Sequence, residues 1–434
     1  MGYSLARVPM ASCDFSERSY TYVEADGDLG CATFRLAPED GTRMEWLRRA
    51  AAARGEPLRI LASPWTAPPW MKARGRGFVG GELRREDEVY RAWARYFVRF
   101  LSAYAEAGLP VWAVTPQNEP NELPSVLRQT WETMFWDRDE MVRFIGKFLG
   151  PAMAAAHPDV LIVAHDDQRL DMPEFARKLA EDPEALAFVR GIGFHWYQYP
   201  PRPYGGSGWT DYLWRLGDLW SVLPGDTFHL IRETRQLLAQ ADRGDAILVC
   251  TEMCAGFAKS LSPPCLGPSM GDWDRGEVYC EEILRSLSCG MTAWLDWNLV
   301  LDAAGGPNWA KNMCDAPLIL AEDGALRLQP MCLAIAHFSH FILPGAQRLA
   351  TTGPTGAQHA VAFRSEGRVV VVLLNRAESP CDVALHAPRR GTLQFQLPAH
   401  SFATVCWAAE AATPRAEATP RGELRSVEDF LLES

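Results

Sequence analysis

The stretch VWAVTPQNEPNE, from Val111 to Glu122, decides how the rest of the chain is interpreted. It begins as an apolar run typical of a buried strand and then changes to an amide, a carboxylate and a proline at Asn118, Glu119 and Pro120. Most strand ends of this kind are simply the start of a solvated loop. The functional alternative places Glu119 at the carboxyl end of a sheet strand, and the other strand ends of the chain distinguish the two interpretations.

Six further apolar runs have the same character, and helical patterns separate them. This alternation predicts a parallel sheet with crossover helices. Each run ends in polar or aromatic residues. The seven runs are YSLARVPM, LRILASPW, VWAVTPQN, VLIVAHDD, GIGFHWY, AILVCTEM and MTAWLDWN.

The polar strand ends distinguish two kinds of parallel sheet. An open doubly wound sheet collects its ligand contacts at one switch point, whereas a (β/α)8 barrel builds its site from the ends of several strands. The residues at the seven ends are Arg7, Trp65, Glu119, Asp166, His195, Glu252 and Trp297. Because they are spread over all the ends, the sequence predicts an α/β fold of the (β/α)8 TIM-barrel type.

Seven strands are one fewer than this barrel needs. The first run begins at Tyr3, so the missing first strand is expected to precede Met1 in a longer reading frame. A barrel closed in some other way is the alternative.

The pattern changes after Leu343. Residues 344–408 contain short alternating runs with turn signals such as Glu366-Gly367, which predict an antiparallel β-sandwich. The barrel domain is therefore assigned to residues 1–343. Residues 409–434 are rich in Ala, Pro, Arg and Glu and are expected to be a disordered tail.

Composition excludes several classes of function. A net charge of −11 without a basic cluster argues against a nucleic-acid partner. No apolar run approaches the roughly 18 residues of a membrane span, so no integral membrane segment is expected. The N-terminal residues lack a basic and apolar leader pattern, which predicts a cytoplasmic protein as the sequence is written.

The cysteines do not predict a metal site. There are eleven of them, scattered without a CxxC pair or a Cys/His spacing that suits zinc. They are interpreted as mostly buried thiols in a reducing compartment. Neither a metal nor a cofactor is expected.

Glu119 and Glu252 suggest a specific chemistry, because both follow the apolar core of a strand and both would face one cavity. Two carboxyl groups across a cavity are what glycoside hydrolysis requires: one protonated to donate to the leaving oxygen and one ionised to attack the anomeric carbon. Arg7 nearby would keep Glu252 charged, and that charge would keep Glu119 protonated. Asn118 would bind a sugar hydroxyl next to the reacting carbon.

Other strand-end residues have plainer interpretations that compete with a function. Trp65, Trp297 and Tyr197 offer apolar faces for stacking on a sugar ring, but a tryptophan is more often part of a barrel core. His195 is similarly more often a satisfied core histidine than a catalyst. Asp166 and Asp167 are interpreted as a structural ion pair with Arg169 in the sequence DDQR.

An extended set of motifs resembles family 30 of the glycoside hydrolases, in its acid β-glucosidase (glucosylceramidase) branch. The motifs occur in order and cover the chain to about Trp407. They are RVPMASCDFSERSYTY, ASPWTAPPWMK, QNEP, FHWY, TEMCAG, WDRG, DWNLVLDAAGGPNWAKN and QPMCLAIAHFSHFILPGAQR.

The resemblance implies a (β/α)8 barrel with a β-sandwich and retaining hydrolysis of a β-glucosidic bond. Glu119 in QNEP matches the acid/base of the family, and Glu252 in TEMC matches its nucleophile. The other matched positions are glucose-binding Asp14, Trp65, Asn118, Trp297 and Asn312, then Arg7, His195 and Tyr197 around the nucleophile, and pocket-lining Cys254.

The chain departs from the family in its N-terminal portion, which is absent here, and in two loops, between Asn121 and Trp136 and between Gln198 and Thr227. The expected substrate is glucosylceramide or a related β-glucoside, with peripheral contact to a lipid. One alternative is a family 30 enzyme for a xyloside, a fucoside or a β-1,6-glucan. Another is an inactive carbohydrate-binding barrel. The aglycone and the oligomeric state stay open.

Overall fold

A computed structural model describes residues 1–73, 77–120, 131–196, 227–255, 267–311, 313–352, 358–387 and 390–409. The chain divides into two compact units. The first unit comprises Ser4–Pro268 and Cys289–Ala325, and the second comprises Met1–Tyr3, Ser269–Ser288 and Leu326–Ser434. Nearly all of the predicted tail, residues 410–434, lies outside the described residues.

The first unit is built on a parallel sheet, which within the described residues has seven strands paired in chain order. They are β1 (Leu5–Met10), β2 (Arg59–Pro64), β3 (Ala113–Val114), β4 (Leu161–Gln168), β5 (Val189–His195), β6 (Ile247–Glu252) and β7 (Ala293–Trp294). Every pair of neighbours is parallel. All seven predicted runs thus contribute a strand, and the prediction of a TIM-barrel-like sheet is confirmed.

Helices lie between the strands along the chain. They are α1 (Pro38–Arg54), α2 (Asp87–Glu106), α3 (Arg138–Phe144), α4 (Gly150–Ala156), α5 (Met172–Glu181), α6 (Pro183–Phe188) and α7 (His229–Gln240). A π-helical segment, Ile145–Leu149, joins α3 to α4, and single 3₁₀ turns lie at Pro69–Met71 and Arg169–Asp171. A short parallel pair, β8 (Val300–Asp302) and β9 (Leu318–Leu320), follows β7. Among the described helices, none is long and apolar enough to cross a membrane.

Helix α2 shows how the apolar pattern positions these helices. Its residues Tyr90, Trp93, Phe97, Phe100 and Tyr104 are buried and recur every three or four positions. This spacing places them on one side of the helix. Aromatic contacts then join this side to neighbouring helices, for example Tyr90 to the Phe144 ring at 5.7 Å between centroids.

The sheet itself has a compact apolar core. Strands β2, β3, β4 and β6 contribute Leu61, Ala113, Val163 and Val249, and Leu295 follows β7. These side chains are almost completely buried. The core therefore uses the apolar part of most of the runs, while the polar residues follow at the carboxyl ends.

Gly191 in β5 is needed for close packing of β5 against β6. A Cβ atom there would lie 2.5 Å from Ile247 Cγ1 and 2.6 Å from the Ile247 carbonyl oxygen. We expect Gly191→Ala to lower the free energy of unfolding by about 1–3 kcal/mol, because the backbone would have to move. Urea unfolding measures this.

Gly41→Ala is the matched control for that measurement. Gly41 lies in α1, and a Cβ atom there would meet nothing within 4 Å. Alanine is the better helix former by roughly 0.5–1 kcal/mol, so this change should leave stability equal or higher. Equal destabilisation by both substitutions would contradict the packing argument.

The second unit contains helices α8 (Trp273–Ser288) and α9 (Pro330–Ser339) and mostly antiparallel strands. The strands are β10 (Leu326–Leu328), β11 (Gln347–Leu349), β12 (Gln358–Ser365), β13 (Arg368–Asn375), β14 (Cys381–Ala387), β15 (Gly391–Leu397) and β16 (Ser401–Ala408). One sheet has the order β11-β12-β13-β16, and β14 pairs with β15 in another. Side chains from both sheets share one core around Val371 and Leu397, which confirms the predicted antiparallel β-sheets.

Candidate active site

The two glutamates of the sequence analysis lie close together at the carboxyl edge of the sheet. Glu252 is the last residue of β6, and Glu119 lies five residues beyond the end of β3. Carboxylate oxygens of Glu119 and Glu252 and a ring nitrogen of His195 all lie within 4.8 Å of one another. The two glutamates are only 9% and 6% exposed. The two carboxyl groups are therefore close enough to act on one small group together.

Arg7 of β1 holds Glu252 in place. Its Nη1 donates to Glu252 Oε2 at 2.6 Å, and its Nη2 donates to Asn118 Oδ1 at 2.7 Å. The Arg7 side chain is 3% exposed. A buried guanidinium at this distance keeps a carboxylate ionised, because the charged hydrogen bond favours the charged form.

Asp166 of β4 is the second carboxylate bound to Arg7, with Nη2 to Oδ2 at 2.9 Å. Hydroxyl groups of Ser63 and Thr115 also donate to Asp166 Oδ2, at 3.0 and 2.6 Å. Burial by itself raises the pKa of Asp166, but the charge of Arg7 and a hydrogen bond from His195 hold that pKa well below its usual range. Asp166 is therefore a permanent negative charge next to Arg7, which also binds Glu252.

An irregular backbone aims Asp166 and Glu119 at the site. His165 and Asp166 have positive φ values of 76° and 58°, and the β4–β5 register shifts between His165 and Asp167. Glu119 also has a positive φ of 45°, and its backbone N–H donates to the Asp166 carbonyl at 2.9 Å. Non-glycine residues rarely adopt this conformation, and such residues concentrate at functional sites.

His195 of β5 connects Glu119 to Asp166. Its Nδ1 is 2.9 Å from Glu119 Oε1 and its Nε2 is 3.2 Å from Asp166 Oδ1. Gln168 Nε2 donates to the same Glu119 oxygen at 3.0 Å. Burial lowers the pKa of His195, but the charge of Glu252 and the hydrogen bonds to Asp166 and Glu119 raise it overall to about 10. His195 is thus an imidazolium at neutral pH and donates to both carboxyl groups.

The raised pKa of His195 predicts a pH-dependent contribution to stability. An unfolded histidine has a pKa of about 6.5, whereas the folded His195 has a pKa of about 10. The contribution of protonated His195 to the free energy of unfolding is therefore complete below about pH 6.5 and is lost as the pH rises through about 10. The difference in free energy of unfolding between the wild type and His195→Gln should shrink over this range. Urea unfolding of both proteins at several pH values measures it, and a difference independent of pH would contradict the assignment.

Two tryptophans, one after β2 and one after β7, form an apolar wall beside Arg7. The Trp65 and Trp297 rings are stacked, with centroids 5.1 Å apart and planes 24° apart. The Arg7 guanidinium carbon lies 4.9 Å from the Trp65 ring and 5.9 Å from the Trp297 ring. Trp65 is almost completely buried, at 2% exposure, and Trp297 is partly exposed. The burial of Trp65 fits its interpretation as a core residue, and its ring also contacts Arg7 of the candidate site.

The remaining predicted residues fall into two groups. Asp14, after β1, is buried at 3% exposure, and Cys254, just after β6, is buried beside Cys314. Tyr197 and Asn312 lie outside the described residues, as does the predicted variable loop from Gln198 to Asp226.

The prediction of a structural ion pair of Asp166 and Asp167 with Arg169 was wrong for Asp166. The structure pairs Asp166 with Arg7, because the irregular end of β4 turns this carboxylate towards the interior of the sheet. Sequence reasoning also missed Ser63, Thr115 and Gln168, which position Asp166 and Glu119. The sequence signal that could have found them is a polar residue within or next to an apolar run. For Thr115 and Ser63 this signal is not specific, because hydroxyl residues are common in such runs.

A TIM-type barrel with two facing glutamates at its strand ends is the arrangement of a glycoside hydrolase. The glycosyl hydrolase family 30 TIM-barrel domain matches residues 1–203 and 227–342 of this chain. The family 30 beta sandwich domain matches residues 345–405. The chain belongs to glycoside hydrolase family 30, and it is a glycosidase.

The names of similar proteins refer to more than one substrate. Lysosomal acid glucosylceramidase of Mus musculus is 35% identical over 415 residues, which cover 93% of this chain and 73% of that protein. Endo-1,6-beta-D-glucanase neg1 of Aspergillus fumigatus is 25% identical, covering 86% of this chain and 70% of that protein. The crystal structure of SrfJ from Salmonella typhimurium matches with a TM-score of 0.78 at 25% identity, covering 94% of this chain and 82% of that one.

Proposed function

We propose that this protein is a retaining β-glucosidase in which Glu252 is the nucleophile and Glu119 is the general acid/base. The observation that carries this proposal is the closeness of the two carboxyl groups, whose oxygens lie within 4.8 Å of each other. Retaining enzymes place the two groups about 5–5.5 Å apart, and inverting enzymes leave about 6.5–9.5 Å for a water molecule. The spacing supports direct attack on the sugar.

The charges of the buried cluster support the two roles. Arg7 and His195 are cations, and Asp166 and Glu252 are anions. With Glu119 protonated, the cluster is neutral, and Glu119 can donate its proton to the leaving oxygen. When Glu252 becomes bonded to the sugar, it loses its charge, and the cluster is then neutral with Glu119 ionised. This is the form in which Glu119 acts as general base on the incoming water.

The other residues support binding of a sugar at this position. The stacked Trp65 and Trp297 offer an apolar surface for a pyranose ring. Asn118 accepts from Arg7 through its oxygen, so its amide group is oriented to donate to a sugar hydroxyl. Asp14 is proposed to bind the outer hydroxyls, and Tyr197, Asn312 and Cys254 are proposed to complete the pocket. Glucosylceramide or a related β-glucoside is the proposed substrate, in line with the name of the mouse relative.

A comparison of chromogenic substrates tests the proposal. We expect the 4-nitrophenyl β-glucoside to be hydrolysed with a higher kcat/KM than the β-xyloside or β-fucoside. Proton NMR of the product should show the β-anomer first, because two inversions at the anomeric carbon give retention. The α-anomer appearing first would refute the retaining mechanism.

A β-1,6-linked glucan is the second candidate substrate, which the name of the Aspergillus relative favours. A higher kcat/KM for a β-1,6-linked glucose oligosaccharide than for glucosylceramide would select it. Binding of sugars without any turnover would select the inactive carbohydrate-binding alternative.

We also expect activity without a metal ion. Glu119, His195 and Glu252 are close enough to hold one, but a protonated His195 donates hydrogen bonds and offers no lone pair to a cation. Dialysis against a chelator should leave kcat unchanged. Activity that is lost on dialysis and restored by a divalent ion would contradict this prediction.

A further inference from the structure

Two buried cysteines are in contact beside the proposed nucleophile. Cys254 lies two residues after Glu252, and Cys314 lies two residues after Asn312. Their Sγ atoms are 3.7 Å apart, and the two residues are 3% and 1% exposed. The contact joins the end of β6 to the segment that precedes β9. Cys254 is proposed above to line the sugar pocket, but its contact with Cys314 has no part in the proposed chemical steps.

The backbone segments that follow the two cysteines are in direct contact. The Asp315 N–H donates to the Ala255 carbonyl at 2.8 Å, so the residues that follow the two cysteines are hydrogen-bonded to each other. Neighbouring extended chains have Cα atoms about 4.5–5.5 Å apart, and disulfides span Cα separations of about 4.4–6.8 Å. Shortening the contact to an S–S bond of about 2.05 Å therefore requires side-chain rotation and a local shift of the backbone.

We propose that Cys254 and Cys314 form an oxidisable dithiol site, in which a small peroxide produces an intramolecular disulfide that slows the glycosidase. The Cys254 sulfur attacks one oxygen of the peroxide, and the O–O bond breaks. The sulfur becomes a sulfenic acid, and the other oxygen leaves as water. The Cys314 sulfur then displaces the hydroxyl group, which leaves as a second water with the remaining thiol proton. The two sulfurs lose two electrons in total, and the peroxide oxygens gain them.

Hydrogen peroxide is suited to this position because it is small and uncharged. The thiols are buried, yet Glu252 two residues away has to be reached by hydrolytic water in the proposed reaction. A molecule close to water in size can use the same route. Larger oxidants would not have this access.

The link would act on the rate through the position of Glu252. Only Met253 separates Cys254 from Glu252, whose carboxylate is held by Arg7 at 2.6 Å. A displacement of about 1 Å at a reacting group can cost on the order of 100-fold in rate. We therefore expect a loss of about tenfold or more in kcat/KM. The rate effect rests on the proposed function, whereas formation of the disulfide does not.

The experiment treats the full chain with dilute hydrogen peroxide and follows two readouts. Non-reducing peptide mapping by mass spectrometry should detect a peptide pair that contains Cys254 and Cys314 and has lost two hydrogen atoms. The rate on a chromogenic β-glucoside should fall about tenfold or more and recover with dithiothreitol. Cys314→Val should keep its basal rate and give no linked peptide, and its loss of rate should be smaller than in the wild type because only a sulfenic acid can form at Cys254. Cys31→Val, which removes a different buried cysteine, should respond as the wild type does.

Either readout can overturn the proposal. Absence of the linked peptide after oxidation, or an equal loss of rate in Cys314→Val, shows that the pair is not the site. A linked peptide with an unchanged rate would show that the disulfide forms but does not slow the enzyme. If the untreated protein hydrolyses no glucoside, the proposed function fails, and the linked peptide still decides whether the dithiol site exists.

Discussion

Glu252→Gln is expected to lower kcat on a β-glucoside by on the order of 10⁵-fold, as removal of a nucleophile does in other enzymes. The amide cannot attack the anomeric carbon, so no glycosyl-enzyme can form. Intact-mass spectrometry with a slowly hydrolysed 2-fluoro glucoside should show a covalent adduct on the wild type and none on the variant. Glutamine keeps the size of the side chain and an oxygen that can accept from Arg7, so the fold should persist.

Glu277→Gln provides a matched control. Glu277 is a buried glutamate of the second unit, where it pairs with Arg376 and His400. This substitution removes a buried carboxylate that is not part of the proposed site, so the folded protein should keep its activity. A covalent adduct on Glu252→Gln, or loss of activity in both variants, would disprove the assignment of Glu252.

Glu119→Gln is expected to give a loss that depends on the leaving group. General acid catalysis contributes about 10²–10⁴-fold, and a poor leaving group such as an alkyl alcohol needs all of it. A dinitrophenolate leaves without protonation, so formation of the glycosyl-enzyme should be nearly as fast as in the wild type. Single-turnover kinetics with both substrates measures this difference.

The second half of the reaction gives an independent check on Glu119. Without a general base, the glycosyl-enzyme should accumulate with the activated substrate, and azide should restore turnover because it attacks without losing a proton. Gln168→Leu removes one donor to Glu119. It should lower the rates on the two substrates by similar factors, and both factors should be smaller than the loss in Glu119→Gln on the poor leaving group. Equal losses on activated and unactivated substrates in Glu119→Gln would show that Glu119 is not the acid.

The strands of both units could be predicted from sequence because each depends on a local pattern. An apolar run such as that at 247–250 is mostly buried in the sheet, and its length and flanking residues predict a strand. The interruption between α3 and α4 was not predicted, because the π-helical segment Ile145–Leu149 continues the helical pattern of its neighbours.

The candidate site could be predicted in part. Strand-end position was enough to select Glu119, Glu252, Arg7 and His195, since parallel strands bring their carboxyl ends to one edge. The pairing of Arg7 with Glu252 was also expected. Asp166 was assigned to the wrong partner, because a regular strand would alternate its side chains and gives no reason to expect two positive φ values at its end.

The sequence by itself determined the fold class and the identity of the two proposed catalytic glutamates, since both follow from residue type and position along the chain. Only the tertiary structure decided which charges meet. It placed the imidazolium of His195 between Glu119 and Asp166 and the Arg7 guanidinium between Glu252 and Asp166. These contacts join residues far apart in the chain, so they depend on strand register and on the irregular end of β4. A pattern of single residues does not contain that information.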